Sequence, residues 1–325
     1  MSERIDFATL RLRLQRQQPG LFGHDYVPAI LATREEAPSD SHFSQFYWQA
    51  GDRKLHALSP VEANCLFLAL LHPGVVDIHE QKLLSPEAAE HPFVDHPLAK
   101  GAFQKKVTPG TLRILHDLDP KHRHPSVAGE LKIGERKPFS WPYVGDLLLL
   151  INVNGQCWCV NWSVKNSADG HEIPIGRDST NARAAYKLSL RTALERRYYD
   201  HLGIPTYQMH PALLDKQLVA NLNRIHLADT TITQPLTSDD WAAFAQFFNH
   251  ALLNRASLNS VFMPFRNQFL QFNFSRRDMT GIVYRLIANR ILRVDLYRPL
   301  LMDRPLLPEQ RDPITEYSTY FKGMH

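Results

Sequence analysis

The hydrophobic pattern is clearest between positions 146 and 165. Asp146-Leu-Leu-Leu-Leu-Ile-Asn-Val153 reads as a largely apolar strand. Asn154-Gly155 follows, the dipeptide preferred in a type I′ hairpin turn. Gln156 to Lys165 then alternates: Trp158, Val160, Trp162 and Val164 share one face. Cys157, Cys159, Asn161, Ser163 and Lys165 share the other, as a period of two requires. Upstream, Ser59 and Pro60 form a helix start, with Val61, Cys65, Leu68 and Leu71 as its apolar face. Val75 to Leu84 reads as a strand, Asn181 to His201 as a long helix ended by Gly203, and Ile204 to Met209 as another strand. Helix, strand, hairpin, helix, strand is the pattern of an α/β core.

The flanks are less regular. Met1 to Leu14 alternates charged and apolar residues, and a loop-rich stretch follows around Gly20, Gly23 and Pro28. Ser85 to Phe139 is rich in Pro, His and Lys with few periodic apolar positions, and is expected to be an extended loop or insertion. After about Pro211 the chain becomes helical. Ser238 starts a helix striped by Trp241, Phe244, Phe248 and Leu252; Ser275 starts another, ended near Asn289, and Ile291 to Tyr297 alternates like a strand. Pro264 predicts an irregular connection between the two helices. The expected domains are residues 1–210, with the insertion at about 85–139, and 211–325.

Length and composition agree with this division. The chain has 325 residues, 44% apolar and 22% charged, enough for two cores and unlike a disordered chain. No apolar run reaches the length of a membrane span, so no membrane partner is expected. The N-terminal stretch lacks a signal-peptide core. Three cysteines in a chain this long argue against a disulfide framework, and a reducing, cytoplasmic location is expected. The net charge of +4 implies little alone, but its distribution does. Between Val261 and Arg304 stand eight arginines and three aspartates, with no lysine or glutamate. Guanidinium forks suit phosphate oxygens, which makes Arg276, Arg277, Arg285 and Arg290 candidate DNA contacts. A solvated helix face is the alternative.

The hairpin allows a sharper step. With Asn154-Gly155 as the loop, Val153 faces Gln156, and counting back places Asp146 opposite Ser163 on one face. Lys165 lies one diagonal step away, within about 7–8 Å. An aspartate, an apolar strand, a tight turn and a lysine on the next strand is the layout of restriction-type nuclease sites. Phosphodiester hydrolysis needs a carboxylate for Mg²⁺, an activated water and a cation beside the phosphate. A surface Asp–Lys pair is the plainer explanation of the same residues.

Six segments in order make the comparison specific. Gly23-His-Asp-Tyr-Val-Pro28, Leu58-Ser-Pro-Val-Glu62, Asp77-Ile-His-Glu-Gln81, Asp146, Ser163-Val-Lys165 and Leu194-Glu-Arg-Arg-Tyr-Tyr199 resemble the TnsA family. These are endonuclease subunits of heteromeric cut-and-paste transposases. The resemblance covers roughly Gly20 to Met209, and more weakly Ser275 to Pro299. It implies a restriction-endonuclease-like mixed sheet flanked by helices, and a C-terminal, mostly helical, winged-helix-like domain. It implies that Glu62, Asp146 and Lys165 form the catalytic set, with Glu195 and Gln81 beside it. Glu62, Asp146, the Val164 carbonyl and Ser163 would be the metal ligands, for Mg²⁺ with Mn²⁺ as substitute. The family usually carries Gln at the position of Ser163. The implied partners are transposon-end DNA, a TnsB-like transposase and a TnsC-like AAA+ ATPase regulator. A stand-alone defence nuclease and an idle DNA-binding assembly subunit are the alternatives.

Other features carry less. His91, His96, His116, His122 and His124 match no zinc-ligand spacing, and Cys157 and Cys159 read as packing residues. No phosphate-binding glycine loop of the Walker type is present.

Overall fold

The computed structural model describes residues 6–104, 106–132, 135–167, 179–227 and 235–324. The chain divides into two compact units, residues 1–66, 74–213 and 320–325, and residues 67–73 and 214–319.

The first unit opens with helix α1 (Phe7–Arg16) and a hairpin of β1 (Ser44–Trp48) and β2 (Arg53–Ala57), where the sequence reads as loop. Helix α2 (Pro60–Leu71) starts at the expected Ser-Pro, with its residues from 67 on in the second unit, and β3 spans Val75–Leu84. Short β4 (Ala89–Glu90) and β5 (Val107–Thr108) precede α3 (Thr111–Leu118). A hairpin of β6 (Ser126–Lys132) and β7 (Glu135–Ser140) leads into β8 (Tyr143–Val153) and β9 (Gln156–Val164). Helix α4 (Ser179–His201) and β10 (Thr206–Met209) complete the core.

The main sheet has the order β10-β9-β8-β3, with β10 parallel to β9 and the other pairs antiparallel. It is a mixed sheet in an α/β unit. The β8–β9 register runs from Val153↔Gln156 to Leu147↔Trp162, as the turn dipeptide predicts. Asn154 and Gly155 both have positive φ, at 53° and 84°, the backbone a type I′ turn requires. Leu147 to Ile151 are fully buried, which explains the unbroken apolar run: β8 is central and covered on both faces.

The 85–139 segment is not an external loop. Its Phe93, Phe103, Ile114 and Leu115 pack in one core with Leu148 and Leu150 of β8 and Leu194, Tyr198 and Tyr199 of α4. These residues lack a period because they come from short elements and turns. On the opposite face the chain's last stretch packs at two tryptophans, where Trp158 Nε1 and Trp162 Nε1 donate to the carbonyls of Phe321 and Tyr320, each at 2.7 Å.

The second unit contains α5 (Lys216–Leu227), α6 (Ser238–Leu253), α7 (Leu258–Gln268), α8 (Arg276–Ala288) and the short α9 (Pro313–Glu316). Thr237 and Ser275 cap α6 and α8 in reciprocal capping boxes with Asp240 and Asp278. Phe244, Phe248, Phe265 and Phe274 fill its core. Two expectations fail here. Pro264 lies inside α7 rather than in a connection. Residues 291–297 form no strand; Val294 makes only an isolated bridge to Pro308, and Ser257 another to Pro305. The segment is held instead by side chains, with Asn221 Nδ2 donating to the carbonyls of Leu296 and Arg298. Among the described residues no helix is long and apolar enough to cross a membrane.

Candidate functional site

Asp146 sits near the start of β8 and Lys165 just past the end of β9, so the hairpin's open end brings them together. Lys165 Nζ donates to Asp146 Oδ2 at 3.0 Å and to the Val164 carbonyl at 3.0 Å. The Val164 amide donates to the same Asp146 Oδ2 at 2.7 Å. The Lys165 backbone is fixed by its own amide, which donates to the Met209 carbonyl of β10 at 2.9 Å. Both side chains keep about 20% of their surface exposed, so the pair is open to a substrate.

Glu62 enters from the first turn of α2. Its Oε2 accepts from the Leu58 amide at 2.9 Å and from Gln81 Nε2 at 3.0 Å, while Ser59 Oγ donates to Oε1 at 3.3 Å. Burial, followed by the negative charge of Asp146, raises its pKa from 4.5 to about 7. Glu195 comes from α4 and is buried. Asn161 Nδ2 donates to its Oε1 at 2.9 Å and Ser163 Oγ to its Oε2 at 3.2 Å. Burial and then Asp146 raise its pKa as well. Asp146 thus perturbs a carboxylate on each flanking helix, with Lys165 the cation acting on both.

Gln81 is unusual. It lies on β3 between the pairs Glu80↔Leu147 and Lys82↔Gly145, level with Asp146. Its φ is +45°, the left-handed region that side chains other than Gly and Asn rarely adopt. It is 2% exposed, and its Oε1 has no hydrogen-bond partner. Strain and an unpaired buried oxygen each cost on the order of 1–3 kcal/mol.

The chain matches no family model and no curated protein.

Of the residues singled out from sequence, Glu62, Gln81, Asp146, Ser163, Val164, Lys165 and Glu195 are joined by these bonds and charges. Ser163 is turned toward Glu195 and Lys165, whose Nζ lies 3.3 Å from its Oγ. Glu80, next to Gln81, is spent on the fold: Arg53 grips both its oxygens at 2.7 and 2.8 Å. Asn161 and Gly145 are additions. A Cβ on Gly145 would stand 2.9 Å from the Tyr199 hydroxyl and 3.7 Å from Glu195 Oε1, so the residue before Asp146 must be small. A glycine inside an apolar strand was the available signal.

The arginines divide. Arg276 and Arg277 are exposed at the start of α8, with Arg276 bonded to Asn259 Oδ1 at 2.9 Å. Arg285 lies over the Trp241 ring. Arg290 is different: its guanidinium is 9% exposed and bonded to Glu309 and Asp312. It braces the second unit, which corrects its place among the outward-facing cations.

Among the described residues no three His, Cys, Asp or Glu side chains converge as a metal cluster. The donors present are of another kind, namely two carboxylates, from Glu62 and Asp146, and the Val164 carbonyl. This is an oxygen set that suits a hard divalent cation such as Mg²⁺. The raised proton affinity of Glu62 is what a carboxylate acquires when buried beside another with too little positive charge between them.

Proposed function

We propose that the chain is a divalent-cation-dependent DNA endonuclease of the restriction-endonuclease-like type, acting as the TnsA-like subunit of a cut-and-paste transposase. The observation that carries this reading is the direct Asp146–Lys165 contact at the hairpin's open end, with the Val164 amide and carbonyl between them. The order α2-β3-β8-β9-α4-β10 around a mixed sheet supports it, because it sets Glu62 and Glu195 on helices flanking that contact. In the second unit, the order α6, bridge at Ser257, α7, α8, bridge at Val294 and return through Pro305 and Pro308 supports a winged-helix reading. The exposed Arg276 and Arg277 support a role in binding DNA.

Asp146, Glu62 and the Val164 carbonyl would hold the cation. When bound, Mg²⁺ supplies charge neutralisation at the scissile phosphate and a lowered pKa for water. Lys165 Nζ donates to the phosphate oxygen beside the attacking water and disperses charge as the bond breaks. Glu195 orients the lysine through Ser163: it accepts the hydrogen bond donated by Ser163 Oγ, which leaves the lone pairs of that oxygen to accept from Lys165 Nζ. The substrate is the 5′-end phosphodiester at a transposon end, with a TnsB-like transposase acting on the other strand and a TnsC-like ATPase as regulator.

The test is a cleavage assay with Mg²⁺ and Mn²⁺ on DNA bearing candidate transposon ends. It compares the protein alone, the protein with a TnsB-like transposase, and Asp146→Ala in both settings. Partner-dependent 5′-strand cleavage that disappears in Asp146→Ala is the expected result. Cleavage by the protein alone moves it to a free-standing nuclease, and cleavage unaffected by Asp146→Ala removes the site.

A further inference from the structure

Two separate costs fall on Gln81, and neither supports the fold. Its backbone is left-handed at φ +45°, where glycine would be at ease. Its amide oxygen is buried without a hydrogen-bond partner. A glutamine retained only for packing would satisfy both ends of its amide or be replaced by an apolar residue. Here one end is satisfied: Nε2 donates to Glu62 Oε2 at 3.0 Å, which fixes the orientation of the amide. Oε1 is left on a strand position level with Asp146.

We propose that Gln81 Oε1 is an oxygen ligand of the divalent cation that Glu62 and Asp146 would hold. The inference rests on the nuclease reading above and adds a ligand to it. A neutral amide oxygen suits the position. Two carboxylates already balance a divalent charge, and a third would crowd Glu62 further. The left-handed backbone is then the means by which β3 turns this side chain to its place, and the unpaired oxygen is the coordination position itself.

Isothermal titration of the full chain with Mn²⁺ alone separates the possibilities without any cleavage readout. The chains compared are the wild type, Gln81→Met, Gln81→Asn, Gln81→Glu and Asp146→Ala. Asparagine tolerates the left-handed backbone, so Gln81→Asn keeps the fold while withdrawing the oxygen by one methylene. Thermal unfolding in EDTA confirms that each variant is folded. Gln81→Met and Gln81→Asn are expected to bind Mn²⁺ roughly 10–100-fold more weakly, Gln81→Glu to bind no better than wild type because its second oxygen faces Glu62 Oε2, and Asp146→Ala to bind none. Unchanged affinity in both Gln81→Met and Gln81→Asn, with binding lost in Asp146→Ala, overturns the proposal and leaves the nuclease reading standing. A wild type that binds no Mn²⁺ overturns both.

Discussion

Replacing Glu62 with glutamine should stabilise the metal-free protein, and increasingly so as the pH rises. The substitution keeps the local bonds. Oε2 accepts from both Leu58 and Gln81, and an amide oxygen can take its place. Oε1 meets only the Ser59 hydroxyl, which can accept from an amide N–H as readily as it donates. What changes is the charge. Burial and Asp146 raise the folded-state pKa of Glu62 from 4.5 to about 7. A carboxyl that binds its proton more tightly when folded loses stability as the pH rises from 4.5 through 7. At about 1.4 kcal/mol per tenfold change in proton affinity, the full loss is about 3 kcal/mol, and partial solvent screening reduces it to about 2. Urea unfolding in EDTA at several pH values between 5 and 8 measures it. Tryptophan fluorescence suits the purpose, because four of the five tryptophans (48, 141, 158 and 162) belong to the first unit. The gap between variant and wild type should be smallest at pH 5 and widen by about 2 kcal/mol by pH 8. A constant gap across the range, or a variant less stable than wild type at pH 8, refutes the buried-carboxylate account.

Other outcomes follow from the same geometry. Gly155→Ala meets open space, so its cost is purely that of a left-handed alanine, about 1–2 kcal/mol in urea unfolding, and cleavage should survive. Arg290→Ala removes one of the two guanidinium partners of buried Glu309, with Arg293 remaining, and should destabilise the second unit by about 1–3 kcal/mol, whereas exposed Arg277→Ala should stay within about 0.5 kcal/mol. The double substitution of Arg276 and Arg277 by alanine should lower DNA affinity and flatten its salt dependence by about two phosphate contacts; an unchanged slope would place DNA elsewhere.

The central hairpin was legible because its signals are local and mutually consistent. A turn dipeptide of one type, an alternating strand and a continuous apolar strand fix the register, and the register fixes which face Asp146 and Lys165 share. The Nζ–Oδ2 distance of 3.0 Å was beyond that reading, since a long side chain closes a diagonal of about 7–8 Å on its own. Gln81 could be placed on a strand but not in a left-handed backbone, because glutamine gives no sign of that conformation. The part played by residues 85–139 was hidden for another reason. Phe93 and Phe103 come from separate turns and Ile114 from the short α3, and no period links them. Arg290 looked like its neighbours until the fold brought Glu309 and Asp312 to it from about twenty residues downstream. Charge counted along a chain does not distinguish a guanidinium facing solvent from one already neutralised.

The two indole N–H groups at Trp158 and Trp162 bind carbonyls encoded after the whole of the second unit. Synthesis proceeds from the N-terminus, and domains generally fold as units while it does. The first unit therefore stands as an exception to domain-by-domain folding on the ribosome. Its sheet reaches from position 75 to 209 early, yet the indole N–H groups of Trp158 and Trp162 and the Tyr207 hydroxyl meet their carbonyl partners only when residues 320–322 emerge. The first unit is complete only after residues 214–319 have been made, so a chain cut short within the second unit would carry Trp158 and Trp162 without these carbonyl partners. Truncated products should then be less stable than the full chain and more readily proteolysed.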